Sequence, residues 1–183
     1  MIQSVCVFCG SAFGARPGYS RAAEEMGVAL AGAGLTLVYG GGKLGLMGIV
    51  ADAVLKAGGR VVGVIPRMLI ERESAHPALT TQHVVDTMHE RKTLMADMSD
   101  AFVGLPGGMG TFDELVEIVT WAQLGLHAKP VVLANIDSYF EPMYAMLDHA
   151  VREKFVTTES RARWRNADSV TSVMQILAGE GIS

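Results

Sequence analysis

The sequence predicts an α/β fold: a single Rossmann-like, doubly wound domain over residues 1–183, with a mostly parallel sheet flanked by helices. Three observations predict it. Apolar segments of strand and helix length alternate along the whole chain. The strand candidates are continuous apolar runs without period-two alternation, as expected of a parallel sheet covered on both faces. Gly-rich turns follow three of those runs, where an open α/β sheet places its ligands.

Each element can be justified in order. Ser4–Phe8 is an apolar run that reads as a strand and leads into the turn Cys9-Gly10-Ser11-Ala12-Phe13-Gly14. Tyr19–Ala33 carries Ala22, Met26, Ala29 and Leu30 at helical spacing, with Gly32 and Gly34 closing it. Leu35–Tyr39 is a second strand, and Gly40-Gly41-Gly42-Lys43-Leu44-Gly45 turns into a helix that runs to about Lys56. Arg60–Ile65 is a third strand, stopped by Pro66. Arg67–Gln82 reads as an irregular excursion and His83–Asp86 as a short strand. Thr87-Met88-His89-Glu90 is a capping box opening a helix to about Met98. Ala101–Leu105 is a strand, followed by a Gly-rich turn and a helix to about Leu124. Val131–Ala134 is the next strand, Phe140–Lys154 is helical, and a last helix follows Asp168 through Leu177.

Bulk properties narrow the function classes. Half of the 183 residues are hydrophobic, which excludes disorder, and the length suits one domain with a substantial core. A net charge of −4 argues against a nucleic-acid or anionic-membrane partner. No apolar run approaches the roughly 20 residues of a membrane span, and Met1-Ile2-Gln3-Ser4-Val5 lacks a signal-peptide pattern. The expected compartment is the cytoplasm. Cys6 and Cys9 form one C-x-x-C at the end of an apolar run, with Cys6 in the strand; that is too few ligands for zinc and misplaced for thioredoxin-like chemistry, so they are expected to pack as thiols. His76, His89 and His127 read as ordinary loop or helix residues, and Arg161, Arg163 and Arg165 as a solvated face.

The segment Leu105-Pro106-Gly107-Gly108-Met109-Gly110-Thr111-Phe112-Asp113-Glu114 carries the most chemistry. Backbone N–H groups of such a turn converge on an anion at the positive end of a helix dipole. Glu114 beside it suggests reaction as well as binding. Thr111-Phe112-Asp113-Glu114 also matches T-x-x-E, in which the Glu would merely cap its helix; Pro106-Gly107-Gly108 directly upstream, costly in backbone entropy, favours a ligand. Gly40, Gly42 and Gly45 satisfy G-x-G-x-x-G, but after the second strand and with no acidic residue closing the next, which disfavours NAD(P). Leu44 after Gly42-Lys43 excludes a Walker P-loop. Arg91 shares a helix face with Met88, Leu94, Met95 and Met98, so its guanidinium needs an anionic partner or must snorkel to water.

Taken together, Val7-Phe8-Cys9-Gly10-Ser11, Val38-Tyr39-Gly40-Gly41-Gly42, Gly45-Leu46-Met47-Gly48, Gly63-Val64-Ile65-Pro66, Met88-His89-Glu90-Arg91-Lys92, the Pro106–Glu114 block and Trp121–Val131 resemble the "Lonely Guy" family of cytokinin riboside 5′-monophosphate phosphoribohydrolases. Some members have been labelled lysine decarboxylases, though nothing here suggests a pyridoxal phosphate enzyme. The resemblance implies hydrolysis of the N-glycosidic bond of an adenine-type nucleoside 5′-monophosphate to free base and ribose 5-phosphate. It implies no cofactor and no metal, a homodimer or higher homo-oligomer, and a site near a subunit interface. Arg91 and Glu114 match the family's catalytic pair. Gly107, Gly108, Gly110 and Thr111 match its phosphate loop, in whose variable places Met109, Phe112 and Asp113 stand. Glu73, Lys92 and Thr120 match further nucleotide-contacting positions. Glu114 would stabilise or attack the anomeric carbon, or activate water there; Arg91 would orient ribose or phosphate, or hold Glu114 ionised. A non-catalytic nucleotide-binding module, and a nucleosidase acting on plain AMP, are the competing readings.

Overall fold

The computed structural model describes residues 1–70 and 74–179. Its strands are β1 (Ser4–Phe8), β2 (Thr36–Tyr39), β3 (Val61–Pro66), β4 (Thr81–Val85), β5 (Ala101–Gly104), β6 (Val131–Ala134) and β7 (Arg165–Ala167). They pair in parallel throughout, in the order β4-β3-β2-β1-β5-β6-β7. The helices are α1 (Pro17–Gly32), α2 (Gly45–Lys56), α3 (Met88–Asp97), α4 (Met109–Gln123), α5 (Glu141–Arg152), α6 (Thr158–Ala162) and α7 (Val170–Leu177). No helix among the described residues is long and apolar enough to cross a membrane.

The continuous apolar strands have the cause the sequence suggests, because both faces of the sheet are covered. Val5, Val7, Leu37, Tyr39 and Val103 pack under α1, α2 and α7. Cys6, Phe8, Val38, Val64 and Phe102 pack under α3, α4 and α5. Each fully buried Val or Leu contributes about 1.5–3 kcal/mol over its exposed state, and β1 in the middle of the sheet is buried from Val5 to Phe8. Helices α1 and α2 approach so closely that a Cβ on Gly27 would lie 2.6 Å from the Cβ of Ala53.

Several boundaries differ from the sequence reading. Helix α1 begins at Pro17, whose fixed φ suits a first helical position. Pro66 does not stop β3 but closes it, in register with Val85. Strand β4 starts two residues earlier than His83. Helix α6 and strand β7 are additions, and they alter the reading of the arginines around them: Arg161 bonds Asp148 at 2.6 Å and its guanidinium carbon lies 4.8 Å from the Tyr144 ring centre, while Arg165 opens β7. Cys6 and Cys9 are buried free thiols. Burial, and then the nearby charge of Glu114, push both thiols well above their ordinary range, which leaves them inert.

The strand order reverses direction at β1, whose neighbours are β2 and β5. In an open α/β sheet such a switch point opens a crevice at the carboxyl ends of the strands. The three Gly-rich turns leave β1, β2 and β5 there.

Candidate active site

The three turns are bonded to one another. The Gly10 N–H donates to the Pro106 carbonyl at 3.1 Å, tying the β1 turn to the β5 turn. The Gly10 carbonyl accepts from Leu46 and Met47 at 3.0 and 3.3 Å, which satisfies two of the amides that begin α2. Gly45 has φ of +59°, and a Cβ there would lie 2.3 Å from Ala12 N. Gly107 is confined as tightly, its would-be Cβ standing 2.1 Å from Thr111 Oγ1 and 2.8 Å from Gly10 N. Tyr139 pins the same turn from behind, its hydroxyl donating to the Gly107 carbonyl.

Gly108 and Gly110 obey a different constraint. A Cβ at either would meet nothing within 4 Å, and neither is among the glycines of positive φ. Packing and backbone geometry therefore do not require glycine there. What the missing side chains leave is open space over the first turn of α4, whose leading amides have no partner within the helix. That is the architecture of an anion site at a helix N-terminus.

The cap reading of T-x-x-E fails. Gly108 is the N-cap residue and Met109 the first helical residue, so Thr111 lies inside α4, buried, and Glu114 stands in the second turn beyond any cap position. At α3 the capping reading holds. Thr87 Oγ1 accepts from Glu90 N at 3.1 Å, while the Glu90 carboxylate accepts from Asp86 N at 2.9 Å, one residue before the expected partner.

Arg91 does not snorkel to water. It is 4% exposed. Its Nε donates to the Val64 carbonyl at 3.1 Å and its Nη2 to the Gly40 carbonyl at 2.7 Å. The carbonyl dipoles at the ends of β2 and β3 thus fix the guanidinium plane. A Cβ on Gly40 would lie 2.2 Å from Nη2. Gly40 of the second glycine turn thus leaves room for the arginine.

These pieces surround one cleft of about 150 Å³, in which Arg91 and Glu114 share walls with Gly108, Met109, Gly110 and Thr111. Met109 is 81% exposed at its lip. Gly107 faces a second cavity of about 270 Å³ that shares Gly10, Ser11 and Gly108 with the first and has Phe13, Tyr19, Leu46 and Tyr139 for its apolar walls. Sequence reasoning singled out the β1 turn but no side chain in it, and it missed Ser11, Met47 and Tyr139. Tyr139 carried no spacing signal at all.

Four expected contact residues stand elsewhere. Lys92 Nζ bonds Asp113 Oδ2 at 3.0 Å and Glu117 Oε2 at 2.9 Å, between α3 and α4. Phe112 stacks on Tyr139 with ring centres 6.4 Å apart. Thr120 is exposed and its hydroxyl donates back to the Val116 carbonyl at 2.7 Å. Glu73 lies outside the described residues. The chain directly after it is tied to the β2 turn, through Lys43 N to Ser74 O at 2.9 Å and His76 N to Gly41 O at 3.0 Å.

Fold and cleft together define a doubly wound α/β protein with a glycine-rich loop, an anchored arginine and a carboxylate at its switch point. Residues 47–177 match the family described as "possible lysine decarboxylase". The chain is 50% identical over 162 residues to a cytokinin riboside 5′-monophosphate phosphoribohydrolase from Rhodococcoides fascians, covering 88% of this chain and 82% of that one. It is 46% identical over 159 residues to a protein of the same name from Arabidopsis thaliana, covering 87% and 75%. The chain belongs to this family, the Lonely Guy phosphoribohydrolases. Among solved structures it is similar in fold to the molybdenum cofactor carrier protein of Chlamydomonas reinhardtii, at 22% identity, 98% coverage of both chains and a TM-score of 0.72.

Proposed function

We propose that this chain hydrolyses the N-glycosidic bond of cytokinin riboside 5′-monophosphates, which are N6-substituted AMP, and of AMP itself, releasing free base and ribose 5-phosphate. One observation carries the reading: Arg91 and Glu114 line the same cleft as the loop Gly108–Thr111. Relatives about half identical over most of their length are named for this activity.

The chemistry follows from the placement. The loop amides and the dipole of α4 hold the 5′-phosphate, so that binding energy remote from the reacting bond positions the sugar. As the bond from C1′ to the base nitrogen lengthens, the ribose ring gains oxocarbenium character, which the Glu114 carboxylate stabilises. Water adds its oxygen to C1′ and its proton is delivered to the departing base, with Glu114 placed to accept the proton in passing. Arg91, rigid on its two carbonyls, presents a fixed positive charge to ribose or phosphate and favours the ionised form of a carboxylate in the cleft. In this reading the chain is one domain, acts in the cytoplasm as a homodimer or higher homo-oligomer, and takes a small-molecule nucleotide rather than nucleic acid or membrane.

The test is direct. The protein is incubated with AMP and with N6-isopentenyladenosine monophosphate, and free base and ribose 5-phosphate are assayed. Release from the wild type, abolished in a folded Glu114→Gln variant, is expected. Binding of both nucleotides with release from neither would instead make the chain a carrier, a role that the fold alone permits.

A further inference from the structure

Residues 40–42 are three consecutive glycines, and the first of them carries the carbonyl on which Arg91 Nη2 rests. Such a run has no side chains of its own to fix it, and glycine backbone is the least restricted of all. What fixes it is a strap, residues 74–79. The His76 N–H donates to the Gly41 carbonyl at 3.0 Å and the Lys43 N–H to the Ser74 carbonyl at 2.9 Å, with Gly42 bridged to Ala75 between them. The far end of the strap lies against β3, where a Cβ on Gly63 would stand 2.4 Å from Leu79 Cδ1. A strap without helix or strand structure needs an anchor of its own, and His76 supplies it. This histidine is 3% exposed. Its Nδ1 accepts from Ala78 N at 3.2 Å, which leaves the ring proton on Nε2, and Nε2 donates to Asp52 Oδ1 at 3.0 Å. Asp52 belongs to α2, and its side chain is 63% exposed.

We infer that His76 is a positioning residue: bolted to α2 through Asp52, it holds the strap on the glycine turn and so fixes the carbonyl that seats Arg91. The inference rests on the proposed activity. A histidine that reads from the sequence as an ordinary loop residue thus joins three elements, its own strap, α2 and the turn after β2. Without the Asp52 carboxylate the Nε2–H of a buried ring would have no acceptor, and the ring would have to move to reach water. The same residue donates its main-chain N–H to Gly41, so that movement is passed directly to the turn. The Gly40 carbonyl is the neighbouring peptide unit. Neither His76 nor Asp52 lines the cleft in which Arg91 and Glu114 meet, so their effect passes through the arginine. A misplacement on the order of 1 Å between groups that act together costs up to about a hundredfold in rate.

Asp52→Ala, Asp52→Asn and His76→Ala are compared with wild type in two measurements, both well below the melting point of each protein. One is kcat/KM on N6-isopentenyladenosine monophosphate. The other is hydrogen exchange of the Arg91 side-chain Nε–H, followed by NMR beside the backbone amides of β6. The inference requires Asp52→Ala to lower kcat/KM about fivefold or more. It also requires Nε–H exchange to quicken about tenfold while the β6 amides stay within about twofold. Asp52→Asn, whose amide oxygen still accepts from Nε2, recovers most of both, and His76→Ala exceeds Asp52→Ala in both. Should His76→Ala fail to fold, Asp52→Ala decides alone, since it alters an exposed side chain. A lowered melting point with kcat/KM and Nε–H exchange as in wild type would make His76 an anchor of the fold only, and would overturn the inference. So would a fall in kcat/KM with unchanged Nε–H exchange, or an Asp52→Asn variant as damaged as Asp52→Ala. A wild-type protein that releases no base overturns the proposed activity, and this inference with it; an active wild type with indifferent variants overturns this inference alone.

Discussion

Arg91 Nη2 stands 2.7 Å from the carbonyl oxygen of Gly40, in space that even a methyl group on residue 40 would occupy. The glycine is thus the seat of the arginine. Gly40→Ala is expected to dislodge the guanidinium and lose a hydrogen bond to a charged group, about 1.5–3 kcal/mol. Thermal melting should register that loss and base release should fall at least about tenfold. Retention of full activity would show that Arg91 does not need this seat.

The three glycines of the β5 turn should not respond alike. Gly107→Ala drives a methyl into Thr111 and Gly10, and overpacking of this kind costs about 1–3 kcal/mol. Gly110→Ala meets nothing and adds a helix-favouring residue, so the melting midpoint should hold or rise by the equivalent of about 0.5–1 kcal/mol. Its inhibition constant for ribose 5-phosphate should nevertheless rise about tenfold, because the methyl group fills space reserved for the phosphate. Equal affinity in the two proteins would remove the phosphate from this loop.

Tyr139→Phe deletes the hydroxyl that holds the Gly107 carbonyl while keeping the ring against Phe112, Tyr19 and Phe140. Stability should drop by about 1 kcal/mol, the net worth of one hydrogen bond. Titration with ribose 5-phosphate should show severalfold weaker binding, in contrast to Glu114→Gln, which should leave that affinity unchanged.

His127 should make stability depend on pH. Its Nε2 lies 2.9 Å from the Ile118 carbonyl, and Nδ1 accepts from Lys129 N at 3.1 Å, so the ring is neutral with Nε2 carrying the proton. Burial, with further contributions from the charges of Lys129 and Arg163, lowers its pKa below the usual 6.5 despite the Ile118 bond. The unfolded chain then binds the proton more readily than the folded one, so this contribution is complete above about pH 6.5 and is lost as pH falls below it. Melting midpoints measured from pH 7.5 to 5 should decline, and His127→Gln should flatten that decline. An identical slope in the variant would assign the effect to other groups.

The elements most legible in the sequence were those whose burial leaves an apolar run. β1, β2, β5 and β6 fall close to their expected spans because both of their faces are covered. Strand β7, Arg165-Asn166-Ala167, was invisible: an edge strand paired on one side only and largely polar has no run to show. At the site, the β5 turn and Glu114 could be read because glycine spacing reports backbone demands directly. The two carbonyls that anchor Arg91 could not, since they lie 27 and 51 residues away and no side chain records their identity. The lysine beside it matched a binding position by motif, yet its ion pairs depend on how two helices face each other, which no local pattern contains.

The pairing of β1 between β2 and β5 has a kinetic consequence. Val5 to Phe8 find their second neighbour only at Ala101 to Gly104, and Gly10 finds Pro106 across 96 residues of chain. Local helices can form long before so distant a closure, and closures of this range are slow. During refolding, nucleotide binding should accordingly return later than the helical signal, because neither half of the chain holds the whole cleft.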